Sequence, residues 1–250
     1  MKTYDMKIPH HGRTVDAAVF VPDGDGVFPF VIISHGYNGH GRYHEGMARA
    51  LADAGLGVVT YTFCGGSTQD KSGFGTESMT IFTECEDLDA VIDAVVQLPC
   101  SDSGRIMLYG ESQGGLVTAL TAAGRPDDIG AVALLYPAFC IPDNWCDRFP
   151  DKADIPGSVE FWGMRLGRNF FVTLRDIDVW GSIGEFRGPV LIMQGTDDPV
   201  VPVSYSLRAA EIYKNARLEI FDGEGHGFSP EASRRMTDMT AAFAQAVFGL

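Results

Sequence analysis

The stretch Gly110-Glu111-Ser112-Gln113-Gly114 decides the fold of this chain because of what flanks it. An apolar run over 105–109 (RIMLY) precedes it, and the following run over 116–120 (LVTAL) indicates a helix. A glycine on each side of the serine suits a strained turn, since a Cβ there would collide with the adjoining strand or helix. The pattern predicts a strand, a tight turn and a helix, with the Ser112 hydroxyl exposed beside helix-start amides that favour negative charge.

These five residues alone prove little, because a serine that merely caps a helix after a glycine-rich turn shows the same letters. Beyond them, strand-like and helix-like segments alternate after an opening hairpin that turns at His11-Gly12. The alternation predicts an α/β fold, with a mostly parallel central sheet flanked by helices, in one domain over 1–250. Strands are predicted over 28–34, 57–63, 129–135, 188–194 and 217–221, and helices over 42–54, 80–98, 203–214 and 230–248.

One long segment interrupts this alternation. Residues 138–187 separate two predicted strands and contain all three tryptophans of the chain. Because a structureless loop of that length is uncommon, we predict an inserted cap subdomain over the carboxyl edge of the sheet, where ligands bind in open α/β sheets. The alternative is an extra packing layer whose aromatic side chains are simply core. The candidate substrate-binding residues of the segment are Trp145, Phe161, Trp162, Phe171 and Trp180.

Composition disfavours several classes of partner. The 250 residues carry a formal net charge of −14, which repels nucleic acid phosphates and anionic lipid surfaces. No apolar run is long enough to span a bilayer, and the first residues lack the apolar core of a signal peptide. Five cysteines without a CxxC pair indicate free thiols, so we expect a cytoplasmic protein. The oligomeric state, including a homo-oligomer, stays open.

Three side chains that cooperate in nucleophilic catalysis follow one another along the chain. Ser112 precedes Asp198, which comes just after a predicted strand, and His226 lies in the loop after the last predicted strand. Serine chemistry needs a base beside the hydroxyl and an acid that orients the base. Asp197 competes with Asp198 for the role of the acid, and the neighbours of His226 offer weaker alternatives, Asp222 and Glu224.

Over nearly its whole length the chain resembles the α/β-hydrolases, whose triad residues follow in this order. Within them it resembles the small intracellular carboxylesterases that include the cinnamoyl (feruloyl) esterases. Their pattern Gly-x-x-Asp-x-x-Val-Pro corresponds to 195–202 (GTDDPVVP) and selects Asp198 as the acid, and residues 79–88 resemble a helix of that subfamily. Their His-Gly-aromatic loop corresponds to His35-Gly36-Tyr37. The resemblance implies an oxyanion hole formed by the backbone N–H groups of Tyr37 and Gln113.

The resemblance further implies a serine carboxylesterase that hydrolyses small, apolar or aromatic, hydroxycinnamoyl-like esters through an acyl-enzyme. Small-molecule esters are then the expected partners. Those esterases bind the ring hydroxyl through a cap tyrosine, whereas the corresponding aromatic residue here is Phe171. No cofactor or metal is expected, because His40 and His44, four residues apart, lack a third ligand.

Three other functions stay open. A thioesterase for coenzyme A esters would want a basic rim, and the segment 138–187 offers Lys152, Arg165, Arg168 and Arg175. A short-peptide or amide hydrolase would use the same three catalytic residues. A non-catalytic binding protein on a hydrolase fold is the remaining alternative, although none of the three residues is missing.

Overall fold

The computed structural model describes residues 1–250 and is built on one eight-stranded sheet. The strand order is β1-β2-β4-β3-β5-β6-β9-β10. β1 pairs antiparallel with β2 and β2 with β4, whereas all the other pairs are parallel. The strands are β1 (Lys2–His10), β2 (Arg13–Val21), β3 (Phe28–Ser34), β4 (Gly57–Thr62), β5 (Ser101–Glu111), β6 (Ala131–Leu135), β9 (Val190–Gly195) and β10 (Ala216–Phe221).

Helices cover both faces of this sheet, and two separate cores result. One core packs α2 and α3 against the sheet, and the other packs α1 and α8 against the opposite face. The helices are α1 (Glu45–Asp53), α2 (Ile81–Val96), α3 (Ser112–Gly124), α4 (Ile141–Arg148), α5 (Arg168–Thr173), α6 (Val179–Ile183), α7 (Val203–Ile212) and α8 (Pro230–Phe248). The predicted α/β class is confirmed. None of the helices combines the length and the hydropathy that crossing a membrane requires.

Local chemistry explains where the principal helices begin. Thr80 caps α2 through a reciprocal pair of hydrogen bonds with Thr83, which satisfies backbone N–H groups that have no partner within the helix. Ser229 caps α8, with a proline following at its first position. The helix predicted from residue 42 begins only at Glu45, because residues 41–44 form a turn of 3₁₀ helix.

Residues 138–187, which we call the insert segment, lie between β6 and β9 and contain α4, α5 and α6 together with a small hairpin. The hairpin pairs β7 (Ser158–Phe161) antiparallel with β8 (Met164–Gly167). Several side chains of the insert segment join the same core as α2 and α3, among them Phe170, Phe171 and Ile183. The insert segment is therefore packed continuously with the domain below it.

Candidate active site

Ser112 lies at the junction of β5 and α3 with a left-handed backbone, φ +52°. The motif glycines permit this turn. A Cβ on Gly110 would lie 2.3 Å from Thr118 Oγ1, and one on Gly114 would lie 2.2 Å from the carbonyl oxygen of His35. Both distances are far inside van der Waals contact, so the helix packs closely against its neighbouring strand only because these positions lack side chains. The backbone strain at Ser112 is of the kind found at functional sites.

The side chains of Ser112, His226 and Asp198 form one hydrogen-bonded chain. His226 Nε2 lies 2.9 Å from Ser112 Oγ, and His226 Nδ1 lies 2.9 Å from Asp198 Oδ2. The ring of Tyr136 packs against the imidazole, with the ring centroids 4.5 Å apart. This contact fixes the plane of the imidazole from the side, so a proton can pass between the hydroxyl and Nε2 without reorientation of the ring.

Asp198 is held far more firmly than Asp197. Its Oδ1 accepts hydrogen bonds from the backbone N–H groups of Val200 and Val201, at 2.8 and 2.9 Å. Its Oδ2 faces His226 and also accepts a 3.2 Å hydrogen bond from buried Gln194 Nε2. The Asp198 side chain has no exposed surface, whereas Asp197 is exposed and accepts a hydrogen bond from Thr196.

The two alternatives next to His226 have other surroundings. The Glu224 carboxylate accepts hydrogen bonds from the backbone N–H and the hydroxyl of Ser229, at 2.7 and 2.6 Å, and these bonds lower the pKa of Glu224. Asp222 is exposed to solvent. Neither carboxylate makes a hydrogen bond to the imidazole, whose Nδ1 is directed at Asp198.

The loop after β3 is tied to the sheet by a buried histidine. His35 Nδ1 donates to the carbonyl oxygen of Gly36, and His35 Nε2 accepts from the backbone N–H of Phe63 at 3.0 Å. Burial lowers the pKa of His35 to about 4, so the imidazole is neutral and can keep both bonds. The role of His35 is therefore to hold the Gly36-Tyr37 turn next to Ser112.

Two backbone N–H groups near Ser112 have no acceptor within the chain. Tyr37 N–H makes no hydrogen bond, and Gln113 is the second residue of α3, where the intrahelical ladder has not begun. Gln113 is further anchored because its side-chain amide donates to both oxygens of Glu84, at 3.0 and 2.8 Å. Glu84 is 1% exposed, and burial raises its pKa well above the usual range. The sequence analysis did not identify this buried contact.

The Tyr37 hydroxyl is engaged elsewhere. It donates a 2.7 Å hydrogen bond to the carbonyl oxygen of Phe161 in the hairpin of the insert segment, and the rings of the two residues meet edge to face. Burial raises the pKa of the Tyr37 hydroxyl. Tyr37 therefore joins the loop that flanks Ser112 to the insert segment.

A cavity of about 300 Å³ opens on Ser112, and its walls come from the loops around Ser112 and from the insert segment. Trp145, Phe161 and Trp162 line it, as do Tyr37 and Gln113. Phe171 and Trp180, the other two predicted substrate-binding residues, are not among its walls. The residues that the sequence analysis did not single out are Ala138, Cys140, Ile141, Asn144, Arg148, Leu166, Phe170, Pro199 and Val200.

Phe171 and Trp180 lie behind the cavity for a packing reason. Phe171 is 2% exposed and contacts the rings of Trp145 and Phe149, with centroids 4.7 and 5.7 Å apart. Trp180 stacks on Tyr205 of α7 and lies under the guanidinium of Arg208. Phe171 therefore supports the wall residue Trp145, whereas Trp180 packs against α7, and the prediction that the two face a ligand does not match their position.

The two histidines weighed as metal ligands lie in different surroundings. His40 Nδ1 accepts from the backbone N–H of Arg42, whereas His44 Nε2 lies 3.4 Å from the Glu111 carboxylate. A separate set, His10, Cys64 and Asp87, brings its ligand atoms within 4.8 Å of one another.

That set suits a cation poorly, because the guanidinium of Arg13 already binds Asp87 at 2.7 Å. Burial also raises the pKa of the Cys64 thiol to about 12, which opposes the thiolate form that binds metals.

The family of the chain follows from its sequence matches. A family model described as "Serine aminopeptidase, S33" matches residues 27–175, and one described as "TAP-like protein" matches residues 178–246. The first match alone covers more than half of the chain, so the chain belongs to this family of α/β-hydrolases. It is a hydrolase of that family, as the comparison with individual proteins also indicates.

Individual relatives match over most of the chain. Est1E from Butyrivibrio proteoclasticus has a TM-score of 0.86 and 26% identity, covering 98% of this chain and 99% of that chain. A structure with ferulic acid bound to Est1E has a TM-score of 0.89 and 27% identity, and the match covers 98% of this chain and 100% of that chain. A relative from Variovorax paradoxus (strain S110), named "Putative carbamate hydrolase RutD", is 24% identical over 235 residues, 80% of this chain and 85% of the relative. The predicted resemblance to feruloyl esterases is confirmed.

Proposed function

We propose that this protein is a serine carboxylesterase that hydrolyses small esters through a covalent acyl-enzyme. The observation that carries the proposal is the continuous chain from Ser112 Oγ through His226 to Asp198, with both hydrogen bonds at 2.9 Å. A hydroxyl, an imidazole and a buried carboxylate in this arrangement are what an activated serine requires. The positive φ at Ser112 supports the same role, since strained backbone of this kind is concentrated at functional sites.

The chemistry proceeds in two steps. His226 Nε2 takes the proton of Ser112 as Oγ attacks the ester carbonyl, and Asp198 stabilises the imidazolium and keeps Nδ1 protonated. The backbone N–H groups of Tyr37 and Gln113 bind the oxyanion, and loss of one such donor costs on the order of 10²–10³ in rate. His226 then gives its proton to the leaving alcohol. Water, deprotonated by the same imidazole, releases the acid and restores the Ser112 hydroxyl.

We infer that the acyl group is small and largely apolar or aromatic. The cavity volume of about 300 Å³ is at the lower end for ligand sites, and most of its walls are apolar. Trp145, Phe161 and Trp162 offer flat surfaces on which an aromatic acid can lie. Ferulic acid bound to the similar protein Est1E supports this class of acyl group.

We also propose that residues 138–187 act as a cap subdomain over the site, because this segment supplies most of the cavity walls. A cytoplasmic location is proposed on a separate ground. All five cysteines are free, which suits a reducing compartment.

The proposal is tested by labelling and by turnover. A fluorophosphonate probe should label the wild-type protein and leave Ser112→Ala unlabelled. In parallel, methyl ferulate, methyl p-coumarate and short 4-nitrophenyl esters should be hydrolysed by the wild type, while Ser112→Ala loses at least about 10⁴-fold in kcat. Equal labelling and turnover of both proteins, with the variant folded by circular dichroism, would exclude the serine mechanism.

Cleavage of a C–N bond is the second candidate. The matching family model carries the description "Serine aminopeptidase, S33". A relative that is similar over most of the chain carries the name "Putative carbamate hydrolase RutD". The same nucleophile and base would serve for an amide or carbamate. Matched 4-nitroanilides and 4-nitrophenyl esters of one acid distinguish the two, because an esterase should prefer the ester by several orders of magnitude after correction for intrinsic reactivity.

The basic side chains of the insert segment do not form the cluster around the cavity that a coenzyme A thioesterase would need. Arg165 lies 3.5 Å from Glu160, and Arg168 donates to the carbonyl oxygen of Lys152. Arg175 donates to the carbonyl oxygens of Phe149 and Pro150. None of these cations lines the cavity.

A further inference from the structure

The cavity beside Ser112 contains one formally charged side chain in its walls, that of Arg148 at the end of α4. None of the other wall residues is acidic or basic. This stands out in a chain with a net charge of −14, whose overall field repels anions. The charge of the cavity wall is therefore opposite in sign to that of the whole molecule.

The guanidinium of Arg148 has no carboxylate partner. No Asp or Glu oxygen lies within 4.0 Å of it, although other arginines of the insert segment are paired with a carboxylate or bonded to carbonyl oxygens. The nearby acid Asp143 is engaged by the Tyr205 hydroxyl at 2.8 Å. All the N–H donors of Arg148 thus remain open to a ligand or to water.

Aromatic rings orient this side chain. The Arg148 guanidinium carbon lies 5.2 Å from the centroid of the Trp145 ring and 5.7 Å from that of Phe149, and the two rings stack with their planes 8° apart. Cation–π attraction of this kind keeps an arginine extended along the aromatic surface. Less side-chain entropy is then lost when a ligand binds.

We propose that Arg148 is an anion subsite of the catalytic cavity, which binds a carboxylate at the far end of the acyl group. A planar guanidinium matches a carboxylate through two parallel hydrogen bonds, whereas the mostly apolar walls of the cavity that Ser112 and Arg148 share suit a hydrocarbon spacer. The preferred substrates are then monoesters of dicarboxylic acids. This inference rests on the proposed esterase function and names its substrate class.

The test compares two esters of equal acyl length, mono(4-nitrophenyl) adipate and 4-nitrophenyl hexanoate, which differ in the terminal carboxylate. The quantity measured is the ratio of kcat/KM for the adipate ester to kcat/KM for the hexanoate ester. It is measured for the wild type, for Arg148→Met and Arg148→Lys, and for the control Arg165→Met. Arg148→Met should lower the ratio about tenfold, because the hexanoate ester has no terminal carboxylate for the guanidinium to bind and an exposed charge-assisted pair gives only a modest gain. The ratio of Arg148→Lys should lie between those of the wild type and Arg148→Met, because lysine keeps the positive charge but lacks the paired N–H donors of the guanidinium.

Control and salt dependence complete the test. Arg165→Met removes an exposed arginine of the insert segment that does not line the cavity, so its ratio should equal that of the wild type. Raising NaCl from about 50 to about 500 mM should reduce the difference in this ratio between the wild type and Arg148→Met, because salt screens the attraction by the guanidinium in the wild type alone and the repulsion by the net negative chain in both proteins. A ratio that changes less than about twofold in Arg148→Met would overturn the anion subsite. If the wild type hydrolyses neither ester faster than Ser112→Ala does, the proposed function itself fails.

Discussion

The rim of the sheet around Ser112 and the insert segment of this protein are built in different ways. We use rim for the loops at the carboxyl ends of β3, β5, β9 and β10, which carry Tyr37, Ser112, Asp198 and His226. Side chains there are held by directed hydrogen bonds with specific partners, as the two backbone N–H bonds to Asp198 illustrate. The insert segment is packed through buried apolar side chains, many of them aromatic, whose contacts depend on shape more than on direction. Exact positions in the rim are therefore encoded by short motifs, whereas positions in the insert segment depend on packing between residues distant in sequence.

The sharpest test of the rim compares two adjacent carboxylates. Asp198→Asn should lower kcat about 10⁴-fold, because an amide at Oδ2 favours the wrong tautomer of His226. Asp197→Asn is the matched control, and it should change kcat less than about twofold because Asp197 is exposed and points away from the imidazole. Steady-state kinetics on one ester measure both. A larger loss for Asp197→Asn would reassign the acid.

The insert segment should instead respond in stability. Phe171 is 2% exposed and packs on the rings of Trp145 and Phe149, so Phe171→Ala should lower the free energy of unfolding by about 3–5 kcal/mol. Trp162 is 59% exposed and stacks on Phe161, so Trp162→Ala should cost less than about 1 kcal/mol and raise KM for aromatic esters. Urea unfolding and ester kinetics on both variants measure these effects. Equal losses of unfolding free energy in the two variants would contradict the assignment of Phe171 to the core and of Trp162 to the cavity wall.

Acid should weaken the rim through His35. Burial lowers its pKa from 6.5 to about 4, so between these pH values the unfolded chain binds a proton that the native protein does not. The stability that neutral His35 contributes is therefore complete above pH 6.5 and is lost as the pH falls toward 4, by up to about 3 kcal/mol. His35→Gln should flatten this part of the curve of unfolding free energy against pH. His11→Gln, at the exposed β1–β2 turn, is the control for the loss of one imidazole. If unfolding free energy falls with pH equally steeply in the wild type and in His35→Gln, the acid sensitivity does not come from His35.

A smaller effect should come from the anchor of Gln113. Glu84→Ala removes the acceptor of the Gln113 side chain and should lower kcat about tenfold with KM little changed, because the proposed mechanism uses the backbone N–H of Gln113 in the transition state. Glu84→Gln keeps an acceptor and should recover most of that loss. Glu86→Ala, on the same helix and bound to Arg13, is the control and should keep kcat near the wild-type value. A rise in KM alone would indicate that Glu84 affects substrate binding instead.

Much of the fold could be predicted because its signals are local. Apolar runs gave β3 within its observed bounds, and the closing helix at 230–248 matched α8. Residues 110–114 and 195–202 predicted turns whose geometry depends on their own glycines and prolines. Glu84 was missed although a signal exists, since it lies three residues after Ile81 on the buried face of α2, where an acid is unusual.

The division of the aromatic residues could not be predicted in this way. Trp145 and Phe171 are equally apolar in the sequence, and only the packing of α5 against α4 places one at the cavity and the other behind it. Arg148 gives no signal either, because an arginine at the end of a helix is usually solvated. The packing of Tyr136 on His226 depends on the approach of the segments that follow β6 and β10, two strands on either side of β9, which no local pattern shows.

The hydrogen bond from the Tyr37 hydroxyl to the carbonyl oxygen of Phe161 has a consequence for protein engineering. A chimera that received residues 138–187 from a relative would inherit new specificity only if the transplanted hairpin offered Tyr37 a carbonyl acceptor at the same place. Without one, a phenol with a half-buried ring would lose its partner, and the turn beside Ser112 would shift with it. Exchange of substrate preference by transplantation therefore requires the loop at 35–37 and the hairpin at 158–167 to be moved as one unit.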